Sequence, residues 1–457
     1  MLDITRQTAN FVASLNPADL PDRCREAART GIIDCVGVMI AGAAEQPVRI
    51  VSAMLAASVL NDGAPEIPSG RNLAPPDAAL VNGVAAHVLD YDDVALAGHP
   101  SAVLVPAILA EGWSLDSSGI DAVAAYVAGY ELWAQVAALE PGHLHERGFH
   151  PTAVMGALAT AAACARLRKL DPEKTAHAIA IAASLASGLV ANFGTMTKSL
   201  HAGRTAQSGV LAARLADQGF TASLDVLEHQ TGFLRAHSPS GTPDIENAKI
   251  DIGSNWRLSE LGINVKRYPT CYATHRSIDA MLGLVGEHRL KPDDVREIRV
   301  HTGVTQKLML RNNNPKTGLE AKFSMEFAMA AALVAGRVGL SELTDEFVSR
   351  PEVGAAVAKV RCTTTDEIMV GDQPFAPTDQ VSVVLASGRV LEHAPVAYPK
   401  GSWQKPLTRE ELQDKFLDCA TRVFSRSHAT ALFEQLWRLE EVGSLRSLRL
   451  TSDRVDA

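Results

Sequence analysis

Three aspartates and a histidine lie within ten residues of one another in the segment LDYDDVALAGHPSAVLVPAILA, residues 89–110. Asp90, Asp92 and Asp93 end one apolar stretch, and His99 precedes the next. Carboxylate oxygens bind Mg²⁺ or Ca²⁺, but the bend glycine and the distal glutamate of a calcium loop are missing. The alternatives are a solvated helix end, with Asp92 and Asp93 in water, and an acid/base site. Asp90 is best placed for burial beside a cation, because it directly follows the apolar helix.

A second histidine, His150, begins the apolar segment FHPTAVMGALATAAA. Pro151 suits a first helical position, so the imidazole is expected at the positive end of the helix dipole. That position favours the neutral ring, which can act as a base near neutral pH. A capping histidine without a catalytic role is the alternative. The segment GHPSAV around His99 shares the pattern His-Pro-Ser/Thr-Ala-Val, which predicts two histidines at two equivalent helix starts.

Cationic side chains recur at intervals of three in TKSLHAGRTAQSG, at Lys198, His201 and Arg204. On a helix these residues fall on one face. A surface charge stripe is the common interpretation of such a pattern. The segment is rich in Ala, Gly and Ser with few acids to balance the charge, so we interpret it as a site for an anion.

Lys266 ends a predicted strand in NVKRYPTCYATHRSIDAM, and a helix begins near His275. Cys271 and His275 could suggest a nucleophile with its base. A separation of four residues does not give that geometry, and no oxyanion motif accompanies the pair. Lys266 is better interpreted as a clamp for an anion.

Composition narrows the classes of function. The 457 residues are 47% apolar and 21% charged, a balance typical of a soluble enzyme. A net charge of −9 argues against a nucleic-acid partner, and no window of about 18 apolar residues predicts a membrane span. Six scattered cysteines and a polar N-terminus indicate a cytoplasmic protein. The absence of phosphate-loop and dinucleotide motifs disfavours a nucleotide-dependent enzyme.

Helical spacing of apolar residues dominates residues 1–240, with one helix predicted at 76–89. From residue 262 onward, the segments GINVKRY, VREIRVHTG and VSVVLASGRVLEH alternate in polarity and predict strands. Helices at 274–288 and 322–337 lie between them. We therefore predict a mainly α protein, in which a large all-helical body (1–262 plus 400–457) carries a smaller inserted α+β lid domain (263–399).

Seven segments together resemble the MmgE/PrpD family, which includes 2-methylcitrate dehydratases, cis-aconitate decarboxylases and iminodisuccinate epimerases. They occur in the family's order and span residues 82–416: NGVAAHVLDYDD, GHPSAVLVPAILA, GFHPTAVMGALATAAA, NFGTMTKSLHAG, KRYPTCYATH, LEAKFSMEF and KGSWQKPLTREELQDKF. The resemblance implies a helical domain with a lid, a homodimer, and no metal or organic cofactor. In the decarboxylase branch the functional positions correspond to Asp90, His99, His150, Lys198 and Lys266.

The expected function is that of a cofactor-independent lyase for a small di- or tricarboxylate. An epimerase and a carboxylate-binding protein without catalysis are the alternatives. Removing a proton or CO₂ beside a carboxylate builds negative charge, which fixed cations in a dry pocket stabilise. Lys198 and Lys266 are expected to hold substrate carboxylates, and His99 and His150 to act as acid and base. Asp90 is expected to orient His99, and further substrate contacts are expected from His201, Arg204 and His275.

Overall fold

The computed structural model describes residues 3–451 except 141, 143, 247–248 and 370–374. The chain divides into two compact units: a helical unit, Met1–Ile263 with Leu412–Ala457, and an α+β unit, Asn264–Glu411. Helices hold 56% of the residues and strands 9%, which confirms the prediction of a mainly α protein. That the smaller unit acts as a lid stays a prediction.

Eleven of the described α-helices precede residue 264, together with a short antiparallel ribbon of two strands. The helices are α1 (Ile4–Ser14), α2 (Asp22–Gly42), α3 (Gln46–Met54), α4 (Pro75–His87), α5 (Pro100–Leu115), α6 (Gly119–Ala137), α7 (Pro151–Leu167), α8 (Pro172–Leu185), α9 (Met196–Asp217), α10 (Phe233–His237) and α11 (Arg257–Leu261). The strands are β1 (Ala64–Pro65) and β2 (Asn72–Leu73).

Proline fixes where several of these helices begin. Pro75, Pro100 and Pro151 each occupy the first position of a helix, where the missing N–H costs no hydrogen bond. In the last two cases the preceding residue, His99 or His150, is therefore the N-cap. The repeated His-Pro pattern thus places both histidines at helix starts, as the sequence predicts.

Helix α9 packs between α4 and α7, and glycines make both contacts close. A Cβ atom added to Gly203 of α9 would lie 2.3 Å from the carbonyl oxygen of Leu80 in α4. One added to Gly209 would lie 2.2 Å from Oγ1 of Thr160 in α7. Small residues at these two points let the three helix backbones approach, so side chains at the start of α9 reach the ends of its neighbours.

The α+β unit contains a four-stranded sheet in the order β4-β3-β5-β6, with helices packed against it. Strands β3 and β4 are parallel, and the other pairs are antiparallel. Its elements are α12 (His275–His288), β3 (Val295–Gly303), α13 (Val304–Met309), α14 (Gly318–Ala321), α15 (Met325–Ala335), α16 (Asp345–Val348), α17 (Pro351–Val357), β4 (Val360–Thr365), β5 (Gln380–Leu385) and β6 (Val390–Glu392). The last two helices of the chain are α18 (Arg409–Ala420) and α19 (Arg426–Trp437).

Two sequence predictions in the α+β unit are wrong, and one strand is missed. GINVKRY does not form a strand; Val265 instead donates its N–H to the carbonyl of Gly401 at 2.7 Å. The helix predicted at 322–337 begins three residues later, because Ser324 caps α15 by accepting from the N–H of Phe327. Strand β4 was not predicted. The hairpin at Ser387-Gly388 is confirmed, with Gly388 at φ +88°.

Across the described residues, no single helix combines the length and the apolar composition needed to cross a membrane. The pair α2 and α3 passes that test only when the two are joined, and it is bent by 83°.

Candidate active site

Ends of helices α4, α5, α7 and α9 bring seven ionisable side chains of the helical unit together. His87 ends α4, His99 and His150 cap α5 and α7, and two further members lie in the first turns of α9. We call this group the histidine–aspartate cluster; it comprises His87, Asp90, Asp92, His99, His150, Lys198 and His201.

One buried carboxylate, that of Asp92, contacts two imidazoles in this cluster. Asp92 Oδ2 lies 3.0 Å from Nδ1 of His87 and 2.8 Å from Nδ1 of His99. The carboxylate has no exposed surface. Burial opposes its ionisation, but the two imidazoles hold the pKa of Asp92 well below its usual range. With Asp92 accepting at both Nδ1 atoms, the ring nitrogen left for chemistry is Nε2 of each histidine.

His87 is the deeper of these two histidines. Burial lowers its pKa to about 4, against the opposing effect of Asp92. Its Nε2 atom is buried and has no hydrogen-bond partner among the described residues. The ring lies 4.5 Å from that of His99 and 5.9 Å from that of His150, measured between centroids.

A second pair of histidines is formed by His150 and His201, whose Nδ1 atoms lie 3.2 Å apart. One ring must donate and the other accept, so at least one of them is neutral at that nitrogen. Burial is the main cause that lowers the pKa of both, and positive charge on His87 and Lys198 adds to it. Burial, rather than the helix dipole, is thus the main cause that favours the neutral ring of His150, and its role as a base stays a prediction.

Lys198 supplies the ammonium group of the cluster. Its Nζ donates to Oδ1 of Asp90 at 2.9 Å and lies 5.3 Å from the ring centroid of Phe193. Both partners of this ion pair are about four-fifths buried. Asp90 adopts a left-handed backbone with φ +53°, a conformation that aspartate tolerates better than most residues.

Asp92 contacts Nδ1 of His99 at 2.8 Å, in the role expected of Asp90. That Asp90 also orients His99 stays a prediction. The alternative that Asp92 and Asp93 lie in water is wrong, because both are completely buried. Asp93 accepts from the N–H of Ser101, and burial, followed by repulsion from nearby carboxylates, raises its pKa well above the usual range.

The hydroxyl residues of the two His-Pro motifs hold the site together. Thr152 Oγ1 accepts from the N–H of His99 at 3.2 Å and so ties the start of α5 to the start of α7. Ser101 contacts the Tyr126 hydroxyl at 2.8 Å. The repeat in the sequence therefore marks two helix starts that are joined directly.

Four members of the cluster could hold a metal ion. The candidate ligand atoms of His87, Asp90, Asp92 and His99 all lie within 4.8 Å of one another. In this arrangement the Lys198 ammonium already pairs with Asp90, and Asp92 is bonded to both imidazoles. The positive charge that a cation would bring is thus supplied by a side chain.

Three predicted site residues are not members of the histidine–aspartate cluster: Arg204, Lys266 and His275. Arg204 is exposed on α9 and donates to Gln207 at 2.5 Å. Lys266 and His275 belong to the α+β unit, where both are buried. His275 Nε2 lies 3.3 Å from the carbonyl oxygen of Thr270.

Two models of protein-family domains match the chain. The model of the MmgE/PrpD N-terminal domain matches residues 6–246, and that of the C-terminal domain matches residues 268–439. The chain belongs to the MmgE/PrpD family. The N-terminal match contains every member of the histidine–aspartate cluster, whereas Lys266 falls between the two matched ranges.

Within the MmgE/PrpD family, the chain is similar to proteins named cis-aconitate decarboxylase. The protein from Homo sapiens is 29% identical over 461 residues, which cover 96% of this chain and 92% of the relative. The Mus musculus protein is 28% identical, with 96% and 91% covered. The Aspergillus terreus protein is 26% identical, with 89% and 86% covered.

Proposed function

We propose that the chain is a lyase that removes CO₂ from a small tricarboxylate of the cis-aconitate type. The observation that carries this proposal is the grouping of a partly buried ammonium, that of Lys198, with histidines whose pKa is lowered by burial in one cluster. The names of three MmgE/PrpD relatives support the choice of decarboxylation over dehydration.

Decarboxylation of such a substrate needs one cation and one proton donor. Breaking the bond between carbon and the leaving carboxylate leaves an electron pair, which spreads through the neighbouring double bond toward a remaining carboxylate. The leaving carboxylate departs as CO₂. A proton added to a carbon that carries the delocalised electron pair then gives an unsaturated dicarboxylate. Negative charge moves during this step, and water stabilises it poorly compared with fixed donors in a dry site.

Two lysines are assigned to the substrate carboxylates. Lys198 provides the positive charge in the helical unit, and Lys266 is proposed to provide a second from the α+β unit. His201 and His275 are proposed as further substrate contacts. Arg204 is left out, because its guanidinium is exposed and bonded to Gln207.

His99 is proposed as the donor of the proton that the carbon gains, and His150 as the base that takes up the replacement proton from solvent in each turnover. Asp92 accepts from Nδ1 of His99, which fixes the tautomer and stabilises positive charge on this ring while Nε2 faces the substrate. His150 has a lowered pKa and is therefore neutral, as a base must be before it accepts a proton. His87 is the positioning residue, since it holds the other side of the same carboxylate.

The decisive experiment is ¹H NMR in D₂O with cis-aconitate, 2-methylcitrate and iminodisuccinate as separate substrates. We expect net conversion of cis-aconitate alone, with release of CO₂ and one deuterium in the product. Deuterium uptake without net conversion would support an epimerase instead, and a new alkene from 2-methylcitrate would support a dehydratase. Saturable binding of all three without any product would leave only a binding protein.

We propose that turnover needs no metal ion, because Lys198 supplies the cationic charge beside Asp90. Activity is expected to persist after dialysis against EDTA and to stay within about 2-fold when Mg²⁺ or Zn²⁺ is added back. Loss of activity in EDTA that Mg²⁺ restores would instead assign His87, Asp90, Asp92 and His99 as metal ligands.

A cytoplasmic location and a homodimer are proposed as well. All six cysteines are free thiols, and five of them are buried, which suits a reducing compartment. The homodimer follows from membership of the MmgE/PrpD family. Light scattering coupled to gel filtration tests it, and a monomer mass would contradict it.

A further inference from the structure

A cavity in the α+β unit has a polar lining and lies within that unit alone. About 20 Å³ of it is open to the centre of a water-sized molecule, which is room for one small group. Its polar lining residues are Asn264, Tyr272, Arg276, Tyr398, Ser402 and Gln404. We call it the Arg276 pocket. None of the described residues that line it is acidic.

Arg276 gives this pocket its positive charge. The side chain is 9% exposed and is held in place by a hydrogen bond from Nη1 to the carbonyl oxygen of Ala376 at 2.5 Å. Its guanidinium carbon also lies 5.9 Å from the ring centroid of Phe375. A guanidinium carries five N–H donors in a planar fork, and this one makes a single hydrogen bond to the described residues. Most of its donors are therefore available to a ligand with paired oxygens.

Ser402 is the second element of the pocket, and its hydroxyl has no hydrogen-bond partner within the described part of the chain. The residue is 2% exposed, and Oγ is closed off from bulk water. A buried hydroxyl without a partner is costly, so its persistence in a pocket wall indicates that a ligand atom completes its bonding.

The backbone around Ser402 is fixed by several hydrogen bonds. Its N–H donates to the carbonyl of Pro399 at 3.1 Å, and its carbonyl accepts from Lys405 at 2.9 Å. The N–H of Trp403 donates to Oδ1 of Asn264 at 3.0 Å. The hydroxyl thus lies on a turn whose backbone is already held by hydrogen bonds without a ligand. Little conformational entropy is therefore lost when a ligand binds.

Burial raises the pKa of Asp379, and the positive charge of Arg276 partly opposes this. The side-chain oxygens of Asp379 and Asp279 nevertheless accept hydrogen bonds from other residues. Asp379 accepts from the side chains of Ser277, Thr302 and Gln306. Asp279 accepts from the hydroxyl of Tyr268 at 2.5 Å. The oxygens of these carboxylates are committed to donors outside the pocket lining, which leaves the pocket suited to an anion.

We propose that the Arg276 pocket binds one carboxylate group of a small organic acid. The planar fork of Arg276 matches the two oxygens of a carboxylate, and the Ser402 hydroxyl supplies a further donor. The carboxylate belongs either to the substrate of the enzyme or to a separate acid that binds without being converted. This proposal concerns binding alone and does not depend on the reaction proposed above.

The test is calorimetry on the full chain with propane-1,2,3-tricarboxylate, which has neither a double bond nor a hydroxyl group to react. Arg276→Gln is expected to weaken binding by about 10-fold or more, and Ser402→Ala by about 3-fold or more. Arg299→Gln, which removes an exposed arginine of the same unit, is the matched control and should bind like the unaltered chain.

Ser402→Ala also separates a binding role from a structural one. Because the removed hydroxyl has no partner among the residues that the structure describes, the Tm of the ligand-free variant should be unchanged or higher, while its affinity falls. Unchanged affinity in both Arg276→Gln and Ser402→Ala, or no binding by the unaltered chain, would overturn the proposal.

The stoichiometry identifies the source of the carboxylate. If it belongs to the substrate, one molecule binds per chain and Arg276→Gln raises KM for the substrate. If it belongs to a separate acid, two molecules bind per chain, and Arg276→Gln removes one of them while KM is unchanged.

Discussion

Asp92 determines how two histidines of the cluster can behave. Its carboxylate is buried and contacts Nδ1 of both His87 and His99, so a proton gained by one ring changes the field at the other. In the low dielectric of a buried site such coupling is strong. The two histidines and the aspartate are thus better considered as one acid/base unit than as separate residues.

Removing the proposed base or the proposed cation should stop turnover without unfolding the protein. His150→Ala and Lys198→Ala are each expected to lower kcat by about 10²-fold or more, because proton transfer or charge stabilisation is lost. Steady-state kinetics with circular dichroism on each variant measures this. His301→Ala on strand β3 and Lys316→Ala on the surface are matched controls, and near-normal kcat in His150→Ala or Lys198→Ala would remove that residue from the mechanism.

The shared carboxylate can be tested by a pair of neighbouring substitutions. Asp92→Asn should lower kcat by about 10- to 100-fold, because a neutral amide does not stabilise the positive charge that His99 carries as a proton donor. Asp93→Asn is the matched control. It alters an equally buried carboxyl whose side chain contacts the Ser101 N–H and whose pKa is already raised. Equal losses in both variants would contradict a special role for Asp92.

The sequence predicted the residue types at the site better than their partners. Spacing alone indicated His99, His150, Lys198 and His201, since the motifs that contain them place charges on apolar helices. His87 was not singled out, because a lone histidine in NGVAAHVL resembles a core residue. The available signal was its position one turn before an aspartate-rich loop. Which aspartate faces which histidine depends on the loop backbone, including the left-handed Asp90, and spacing does not encode that.

Helix α9 controls the geometry of the site at the scale of elements. It carries Lys198 and His201, and glycine contacts set its distance from α4, which leads to Asp90. A change of a few tenths of an ångström in this spacing is comparable to the tolerance of the ion pair between Lys198 and Asp90.

Gly203→Ala should therefore affect both stability and turnover. The new methyl group would lie 2.3 Å from a backbone oxygen of α4, and relieving that clash should cost about 1–3 kcal/mol of the free energy of unfolding. We expect a lower kcat as α9 shifts. Urea denaturation and kinetics measure the two effects. Gly286→Ala, at an exposed helical position with no atom within 4 Å of the added Cβ, should be neutral or stabilising. A Gly203→Ala variant as stable and active as the parent would contradict the close contact.

Element prediction succeeded where apolar periodicity is long and failed where packing decides. The helices α2, α4, α5 and α7 follow from proline at their starts and from apolar spacing. The segment GINVKRY has the alternation of a strand, but its Val265 bonds to a turn near residue 401, which is remote in sequence. Strand β4 has only six residues, and its pairing partner β3 lies more than fifty residues away.

At the scale of the whole molecule, the net charge of −9 opposes an anionic substrate. In the proposed site a local cation, Lys198, would offset this repulsion, because partial burial strengthens its interaction with an anion. That same burial keeps several histidines neutral, which ties the stability of the helical unit to pH.

His150 should make the protein less stable in acid. Its pKa is lowered from 6.5 in the folded state, so below about pH 6.5 the unfolded chain binds a proton that the folded chain excludes. The free energy of unfolding therefore falls as pH falls through this range. Relative to the unaltered chain, His150→Gln should gain about 1.4 kcal/mol per pH unit below pH 6.5. Urea denaturation at pH 7.5, 6.5 and 5.5 measures this difference, and a difference that is constant with pH would contradict it.

The left-handed backbone at Asp90 restricts how this part of the protein can evolve. Glycine and asparagine are the other residues that adopt this conformation readily. Few uncharged residues can therefore replace Asp90 without straining the backbone. Asparagine at this position would preserve the backbone of the loop that contains Asp92. It would also remove the negative charge that pairs with the ammonium of Lys198. One nucleotide change could thus convert a paired lysine into an unpaired one with the rest of the pocket intact.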